Sequence, residues 1–218
     1  MLSRKKEITS VGNYFEIFPT AIGRYSYSDH ATVKQTVLDI MATTQEVRRG
    51  KDANHYFEHT GSFLDQPALA KFKEFLEDSA NDYTKNLLKL ESEMFVTLAW
   101  INQTNSTCVM SKHNHGNSFF SGTYYLNFDL ELHEPLTFTK ELEFAAQTPY
   151  MGIMPYKYNN FNAPGYRISN LKEGEFIVWP SHLLHGHGPN KGDNRISISM
   201  NFLPKYISNG IYKFKITK

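Results

Sequence analysis

Five of the nine histidines in this sequence fall in two short clusters, about 70 residues apart. His113 and His115 form one H-x-H pair, and His185 and His187 form another. Because side chains two residues apart on a strand share a face, both members of each pair can point in one direction. The histidines of a single H-x-H pair often lie on a polar surface or make hydrogen bonds in the core. Imidazoles that converge from two strands, in contrast, can bind a first-row transition metal. The two clusters together predict a metal site.

The ligand pattern restricts the chemistry of such a site. A zinc hydrolase typically carries H-E-x-x-H on a helix, and the sequence contains no such motif. A non-haem iron oxygenase uses two histidines and one carboxylate, which leaves positions for a cosubstrate and oxygen. The usual H-x-D or H-x-E spacing is absent too, because no histidine has an acidic residue two positions later.

A third signal is the alternating segment 194–201. Arg195 and Ser197 share one polar face with Ser199 and Asn201, and the intervening residues are apolar. In an ordinary sandwich strand this polar face meets solvent. If it lines a barrel interior instead, Arg195 can clamp a carboxylate through two parallel hydrogen bonds, and Ser197 can add another. The sequence has six arginines against seventeen lysines, so an arginine here is a selective choice.

Two helices are predicted in the first half of the chain. Ser28 or Asp29 can cap the first, and the second begins at Asp65–Pro67. Apolar residues recur at helical spacing in both. In the first these are Val33, Val37, Ile40 and Met41, and in the second Leu69, Phe72, Phe75, Leu76, Tyr83, Leu87 and Leu88. The segment 48–60 between them is polar and predicted to be a loop.

The second half is predicted to form strands, over 95–101, 119–128, 136–139, 175–179, 195–203 and 211–216. Short strands after a helical layer indicate an α+β, mainly β protein with a cupin-like jelly roll. We expect one domain over 1–218, with supporting helices and an N-terminal strand in 1–92 and the β core in 93–218. The proline-rich stretch 143–166 is either a surface excursion or a lid over substrate, formed by Tyr150, Tyr156, Tyr158 and Phe161.

Composition excludes several classes of function. With 23 basic and 22 acidic residues among 218, no basic excess points to nucleic acid. The single cysteine, Cys108, excludes a disulfide framework and a cysteine-based zinc site. No run approaches the ~18 apolar residues of a membrane span, and no apolar stretch follows the basic start as in a signal peptide. We therefore expect a soluble, cytoplasmic protein without membrane or nucleic-acid partners, and the aromatic content is compatible with a homodimer.

The motifs taken together resemble the Fe(II)/2-oxoglutarate-dependent dioxygenases, in particular a branch of small phage and bacterial oxygenases. The resemblance rests on H-x-H at His113, the segment 121–127 (S-G-T-Y-Y-L-N), W-P-S at 179–181 followed by His185, and R-I-S-I-S-M-N at 195–201. The segment 17–22 also resembles the opening motif of that branch. The similarity spans most of the chain and is strongest over 100–203.

The resemblance implies a double-stranded β-helix, with Fe(II) as cofactor and 2-oxoglutarate and O2 as cosubstrates. It implies a hydroxylase that couples 2-oxoglutarate decarboxylation, which yields succinate, to substrate oxidation. His113 and His185 then stand at iron-ligand positions, and Arg195, Ser197 and Tyr125 at the distal carboxylate of the cosubstrate. Asn102 is a candidate for its other end.

His115 stands where the family usually has its carboxylate ligand, so the hypothesis is a three-histidine site. Fe(II) with three neutral imidazoles and dianionic 2-oxoglutarate is neutral, so the charge arithmetic permits it. A water in the third position, or His187, remains an alternative.

Other jelly-roll functions compete with this interpretation. Gly174, Pro180 and His185 have nearly the spacing of a cupin motif, which would indicate another cupin-type metal enzyme or a sugar-binding module. A non-catalytic jelly roll is a further alternative. The pair Arg195 and Ser197 favours 2-oxoglutarate, because neither alternative needs a carboxylate clamp there. His30, His55, His59 and His133 are expected to be structural or exposed.

Overall fold

The computed structural model describes residues 20–43, 63–139 and 163–217, and the backbone of 55–61. Two α-helices, α1 (His30–Thr43) and α2 (Ala70–Asp82), precede most of the strands. The strands are β1 (Gly23–Ser26), β2 (His55–Gly61), β3 (Met94–Thr104), β4 (Met110–His113), β5 (Phe120–Asn127), β6 (Thr137–Thr139), β7 (Gly165–Arg167), β8 (Glu175–Pro180), β9 (Leu184–His187), β10 (Arg195–Pro204), β11 (Tyr206–Ser208) and β12 (Lys213–Lys215). Among the residues described, no helix is both long enough and apolar enough to cross a bilayer.

The strands form two main antiparallel sheets. Sheet A has the order β1-β8-β5-β10-β3-β2, and sheet B has the order β4-β9-β6-β7. Strands β11 and β12 pair separately. The non-sequential neighbours in both sheets are those of a jelly roll, as the sequence predicts.

Strands β5, β8 and β10 are buried on both faces, because sheet A lies between the helices and sheet B. One core packs α1 and α2 against sheet A and includes Val37, Phe72 and Ile198. The other core includes Tyr125, Phe138 and Trp179 and fills part of the space between the sheets. Alternation therefore sends the apolar residues of β10 to the helices and its polar residues towards sheet B.

The predicted helices are present, with two differences at the second. Two 3-10 turns, Phe63–Asp65 and Pro67–Leu69, precede α2, which starts at Ala70. Its apolar face holds as far as Tyr83, but Leu87 and Leu88 are exposed. A π-helical turn over Tyr83–Leu87 explains this error, since a wider turn shifts the angular positions of later residues away from the buried face.

The loop predicted over 48–60 is wrong for its second half. Residues 55–61 form β2, an edge strand paired with β3. An edge strand is held by backbone hydrogen bonds on one side only and does not require an apolar sequence. The proposed lid residues Tyr150, Tyr156, Tyr158 and Phe161 lie outside the described residues, as do positions 17–19 of the opening motif.

Candidate metal and cosubstrate site

Three histidines converge at one edge of sheet B. His113 ends β4 and lies directly opposite His185 of β9, and His115 follows two residues beyond the end of β4. The ring centroids are 4.5 Å apart for His113 and His185, 5.1 Å for His115 and His185, and 5.3 Å for His113 and His115. One nitrogen from each ring lies within 4.8 Å of the others, so the group could hold a metal ion.

The hydrogen bonds of these rings fix which nitrogen is available. Nδ1 of His113 lies 2.8 Å from the carbonyl of Ser111, and Nδ1 of His185 lies 2.8 Å from the carbonyl of Leu183. A carbonyl only accepts, so each Nδ1 carries a hydrogen and donates it. In the neutral imidazole, Nε2 then carries the free lone pair, which is the arrangement of a metal-ligating histidine.

His115 has side-chain partners instead. Its Nδ1 lies 2.7 Å from Oδ1 of Asn201 and 2.9 Å from Oγ of Ser121. Its backbone N–H donates to the carbonyl of Ser181 at 2.9 Å. The indole of Trp100 packs beside the ring at 5.8 Å between centroids. These contacts hold the imidazole although it lies outside a regular strand.

Burial keeps two of these imidazoles neutral. Desolvation lowers the pKa of His185 to about 4, assisted by repulsion from the neighbouring histidines. Burial also lowers the pKa of His115. Since only neutral imidazole can donate a lone pair to a metal, the environment favours the ligating form.

A cavity between the two sheets connects the histidines with the polar face of β10. It encloses about 490 Å³, including the space open to solvent at its mouth. Sheet B contributes His113, His185, His187 and Met110. Sheet A contributes Trp100, Asn102, Thr104, Thr123, Trp179, Arg195, Ser197 and Ser199. The polar face of β10 therefore lines the interior, which was the second of the two interpretations of its sequence.

Arg195 is a buried cation at this cavity, with 3% of its surface exposed. Its Nε donates to the carbonyl of Glu134 at 3.1 Å, and Nη1 lies 3.4 Å from Oγ of Ser197. The ion pairs found among the described residues involve other cations, and none joins Arg195 to a carboxylate. Burial lowers the pKa of Arg195, but a guanidinium keeps its proton in proteins. A buried charge of this kind is costly unless an anion pairs with it.

Tyr125 is buried against Arg195 near this end of the cavity. The guanidinium carbon of Arg195 lies 5.4 Å from the centroid of the Tyr125 ring. The N–H of Leu136 donates to the Tyr125 hydroxyl oxygen at 3.3 Å. Because the oxygen is the acceptor in that bond, the hydrogen of the hydroxyl remains to donate to a bound anion. Burial raises the pKa of Tyr125, so the phenol stays protonated.

Two further predicted residues, Asn102 and His187, line the same cavity. Asn102 lies opposite Ser197 in the β3–β10 pairing, is buried, and its amide is 3.4 Å from Oγ of Ser199. His187 lines the cavity, and its Nδ1 donates to the carbonyl of Gly188 at 2.8 Å. The cluster with suitable ligand spacing contains His115 and not His187.

The indole N–H of Trp179 is buried, with no hydrogen-bond partner among the described residues. Its ring packs against His185 at 4.8 Å between centroids.

The structure brings together every sequence-predicted ligand and cosubstrate residue, and the predicted lid residues are outside the described part of the chain. Sequence reasoning assigned no role to Asn201 or Ser121, although both stand in the motifs that carry the family resemblance. The sequence feature that could have identified Asn201 is its position on the same strand face as Arg195 and Ser197.

His30 and His133 are structural, as expected. His30 bridges the Tyr124 hydroxyl at 2.7 Å and Glu173 at 3.1 Å. Nδ1 of His133 accepts a hydrogen bond from the backbone N–H of Asp129, and Nε2 donates to the backbone carbonyl of Asp193.

Comparisons with known proteins agree with this geometry. Residues 98–201 match a family model described as "Putative 2OG-Fe(II) oxygenase". The matched segment contains all three converging histidines and Arg195. No curated protein matches the chain by sequence.

Solved structures with the same fold include a prolyl-4-hydroxylase from Pseudomonas putida, at 10% identity and a TM-score of 0.56, covering 84% of this chain and 92% of that chain. The epimerase SnoN from nogalamycin biosynthesis aligns at 11% identity and a TM-score of 0.62, covering 91% and 89%. HygX from Streptomyces hygroscopicus, solved with nickel and 2-oxoglutarate, aligns at 12% identity and 0.56, covering 87% and 84%. The double-stranded β-helix is thereby confirmed.

The family match confirms the resemblance to the 2-oxoglutarate-dependent Fe(II) oxygenases. Fe(II) and 2-oxoglutarate are accordingly the cofactor and the cosubstrate that the matched family indicates. The site residues fit this pair, because three imidazole nitrogens lie within 4.8 Å of one another and the buried Arg195 has no carboxylate partner among the described residues.

Proposed function

We propose that this 2-oxoglutarate-dependent oxygenase is a hydroxylase whose Fe(II) is held by His113, His115 and His185. The observation that carries the proposal is one cavity with two complementary features. Three imidazole nitrogens lie within 4.8 Å of one another, and the buried Arg195 has no carboxylate partner among the described residues. A metal-chelating dicarboxylate would satisfy both.

The histidines provide a neutral ligand set in this proposal. Each donates its Nδ1 hydrogen to a fixed acceptor, so Nε2 faces the metal without a change of tautomer. Bound Fe(II) would supply the redox chemistry that converts 2-oxoglutarate and dioxygen into succinate, carbon dioxide and an oxidised substrate. The protein's residues contribute position and exclusion of water.

Arg195, Ser197 and Tyr125 would bind the distal carboxylate of 2-oxoglutarate. Nη1 of the guanidinium lies 3.4 Å from Oγ of Ser197, and both residues line the cavity that the histidines also line. It can offer two parallel donors to the carboxylate, and the Tyr125 hydroxyl can add a third. Asn102, which lies opposite Ser197, would bind towards the keto-acid end.

The segment that carries Tyr150, Tyr156, Tyr158 and Phe161 is proposed to close over the substrate. A variant with a shortened segment is expected to retain Fe(II) and 2-oxoglutarate binding and to lose coupled turnover. Full turnover of the true substrate by that variant would remove the lid from the proposal.

Anaerobic absorption spectroscopy tests the metal and cosubstrate sites. We expect a metal-to-ligand charge-transfer band that requires both Fe(II) and 2-oxoglutarate. His113→Ala, His115→Ala and His185→Ala are each expected to weaken Fe(II) binding, while Arg195→Met keeps the metal and forms the band only at higher 2-oxoglutarate concentrations. Iron binding without the band would favour another cupin-type enzyme, and no metal binding would favour a non-catalytic jelly roll.

Hydroxylation is tested separately by mass spectrometry of candidate substrates after aerobic turnover with 2-oxoglutarate. The expected product is heavier than the substrate by one oxygen atom, and succinate forms in equal amount. A product of unchanged mass would indicate an isomerisation in place of hydroxylation, such as the epimerisation named for SnoN.

A further inference from the structure

The three converging histidines are held in two different ways. His113 and His185 each donate to a backbone carbonyl two residues earlier, so their hydrogen bonds are local to their own strand region. His115 bonds side chains of sheet A, from Asn201 on β10 and Ser121 on β5. The third ligand position therefore depends on side chains far away in sequence.

We infer that Asn201 and Ser121 are positioning residues that fix the ring and tautomer of His115 as the third ligand. This inference rests on the proposed function, because it concerns the same metal site. Asn201 Oδ1 is an acceptor, so at 2.7 Å from Nδ1 it requires the hydrogen on Nδ1 and leaves the lone pair on Nε2. The opposite tautomer would place two lone pairs against each other.

A β-bulge in β3 lies beside Asn201. In the pairing of β10 with β3, Asn201 lies opposite Leu98 and Phe202 lies opposite Val96, so Thr97 is the extra residue. The hydroxyl of Thr97 donates to the carbonyl of Asn201 at 3.2 Å, so the bulge residue is hydrogen-bonded to the backbone of Asn201. Bulges of this kind are common beside active sites.

The register of β5 supplies the second contact. Ser121 is the direct cross-strand partner of Asn201, so the two side chains are neighbours on the inner face of sheet A. Oγ of Ser121 lies 3.2 Å from Asn201 Oδ1 and 2.8 Å from Oγ of Ser181. Ser181 in turn bonds Ser118 at 2.7 Å and accepts the backbone N–H of His115.

This serine and asparagine network is buried. Ser121, Ser181 and Asn201 expose 0%, 1% and 4% of their surfaces. Buried polar side chains are retained at a cost unless all their hydrogen bonds are made, and here the bonds converge on one imidazole. A purely structural network would not need to end on an imidazole that belongs to the cluster of three histidines.

The first test measures Fe(II) affinity by anaerobic titration of the full-length protein. Asn201→Leu removes the acceptor and is expected to weaken binding about 10- to 100-fold. Asn201→Asp keeps an acceptor at the same place and is expected to bind within about threefold of the parent or more tightly. Ser121→Ala is expected to lose less than Asn201→Leu, because Asn201 remains.

A double-mutant comparison shows whether the effect passes through His115. In a His115→Ala background, Asn201→Leu is expected to cause no further loss. An equal loss in both backgrounds, or no loss in either, overturns the inference. Asn127→Leu is the matched control, because Asn127 lies on β5 and bonds Asn194 at 2.6 Å, away from the histidines.

The second test reads the tautomer of His115 in the metal-free protein by nitrogen-15 NMR of the imidazole rings. We expect the Nδ1–H form in the parent and in Asn201→Asp, and a mixture in the double variant Asn201→Leu/Ser121→Ala. An unchanged tautomer in the double variant overturns the positioning role. If Asn201→Leu does not fold, Asn201→Ser provides the same comparison with a smaller polar group.

These readouts separate the inference from the proposed function. Loss of Fe(II) binding in His113→Ala and His185→Ala with none in Asn201→Leu overturns only the positioning role. A parent protein that binds no Fe(II) overturns the proposed function, and the affinity part of the inference falls with it.

Discussion

His113 and His185 face each other directly across the β4–β9 pair, with ring centroids 4.5 Å apart. Antiparallel register alone brings two parts of the chain about 70 residues apart to one point. The distance between the strands then sets how closely the two imidazoles can share a metal. Any change that moves β4 away from β9 is therefore expected to lower the affinity of the site for the metal.

Gly186 is the position where this can be tested. A Cβ added there would lie 2.4 Å from the carbonyl oxygen of Met110 and 3.0 Å from that of Ser111, both in β4. Since backbone cannot yield as a side chain does, we expect Gly186→Ala to push the strands apart and weaken Fe(II) binding at least about tenfold. Anaerobic titration measures this. Gly116→Ala is the control, because nothing lies within 4 Å of its added Cβ, and equal affinities in both variants would contradict the prediction.

Arg195→Met is expected to separate cosubstrate binding from metal binding. Loss of a bidentate, charge-assisted contact should weaken 2-oxoglutarate binding about 100-fold, about 2.7 kcal/mol, with Fe(II) affinity nearly unchanged. The charge-transfer band measures the first quantity and a metal titration the second.

The same variant carries a prediction on stability. Without cosubstrate, removal of an unpaired buried cation should leave the free energy of unfolding unchanged or raise it. In urea unfolding, 2-oxoglutarate is expected to stabilise the parent and not Arg195→Met. A strongly destabilised variant would instead indicate that the hydrogen bonds of Arg195 to Glu134 and Ser197 outweigh the cost of burying its charge.

Tyr125→Phe removes a hydroxyl that accepts from the Leu136 N–H and lies beside Arg195. We expect a stability loss of about 1–2 kcal/mol, because the Leu136 N–H is left without its acceptor in a buried place. The affinity for 2-oxoglutarate should fall about tenfold, since one donor to the carboxylate is gone. Unfolding in urea and the charge-transfer titration check these together, and a variant that loses stability while keeping cosubstrate affinity would remove Tyr125 from the binding site.

Glu173 connects α1 to the loop before β8 and gives a prediction on pH. Burial alone would raise the pKa of Glu173, but hydrogen bonds from Lys34, His30 and the Phe128 N–H outweigh it and hold the pKa below the usual 4.5. A lowered folded-state pKa adds stability that is present above the unfolded value and is lost as pH falls through the folded value.

Glu173→Gln should therefore be less stable than the parent near about pH 7, and the difference should shrink towards about pH 3. The loss at neutral pH is expected to be about 1 kcal/mol or less, because the carboxylate is one-third exposed and partly screened. Urea unfolding of both proteins at several pH values measures the difference. A difference that is constant with pH would contradict the electrostatic origin.

The alternation of polar and apolar residues predicted the long strands of the core, but it left open whether the polar face of β10 meets solvent or lines the interior. Arg195 and Ser197 were singled out by the selective use of arginine and by the family resemblance, since alternation alone also fits a strand with one face in solvent. Strand β2 could not be identified, since an edge strand is held by its neighbour's backbone and not by its own pattern.

The partners of His115 also lay beyond sequence reasoning. Asn201 shares the inward face of Arg195 and Ser197, but its contact with His115 depends on the pairing of β10 with β5 and on the chain after β4, and long-range pairing leaves no mark in the hydrophobic pattern. The prediction that Leu87 and Leu88 belong to the apolar helix face was wrong because a π-helical turn alters the helical period on which that prediction depends. Departures from ideal geometry are thus where the local pattern stops being informative.

The two halves of the active centre grow from different sheets, with the paired histidines on sheet B and the guanidinium on sheet A. Evolutionary drift within β4 or β9 could retune metal preference while the carboxylate anchor on β10 stays intact, and the reverse also holds. A laboratory selection for a different metal or a different keto acid would then need changes in one sheet only. The His115–Asn201 bond is the place where such independent drift would meet resistance.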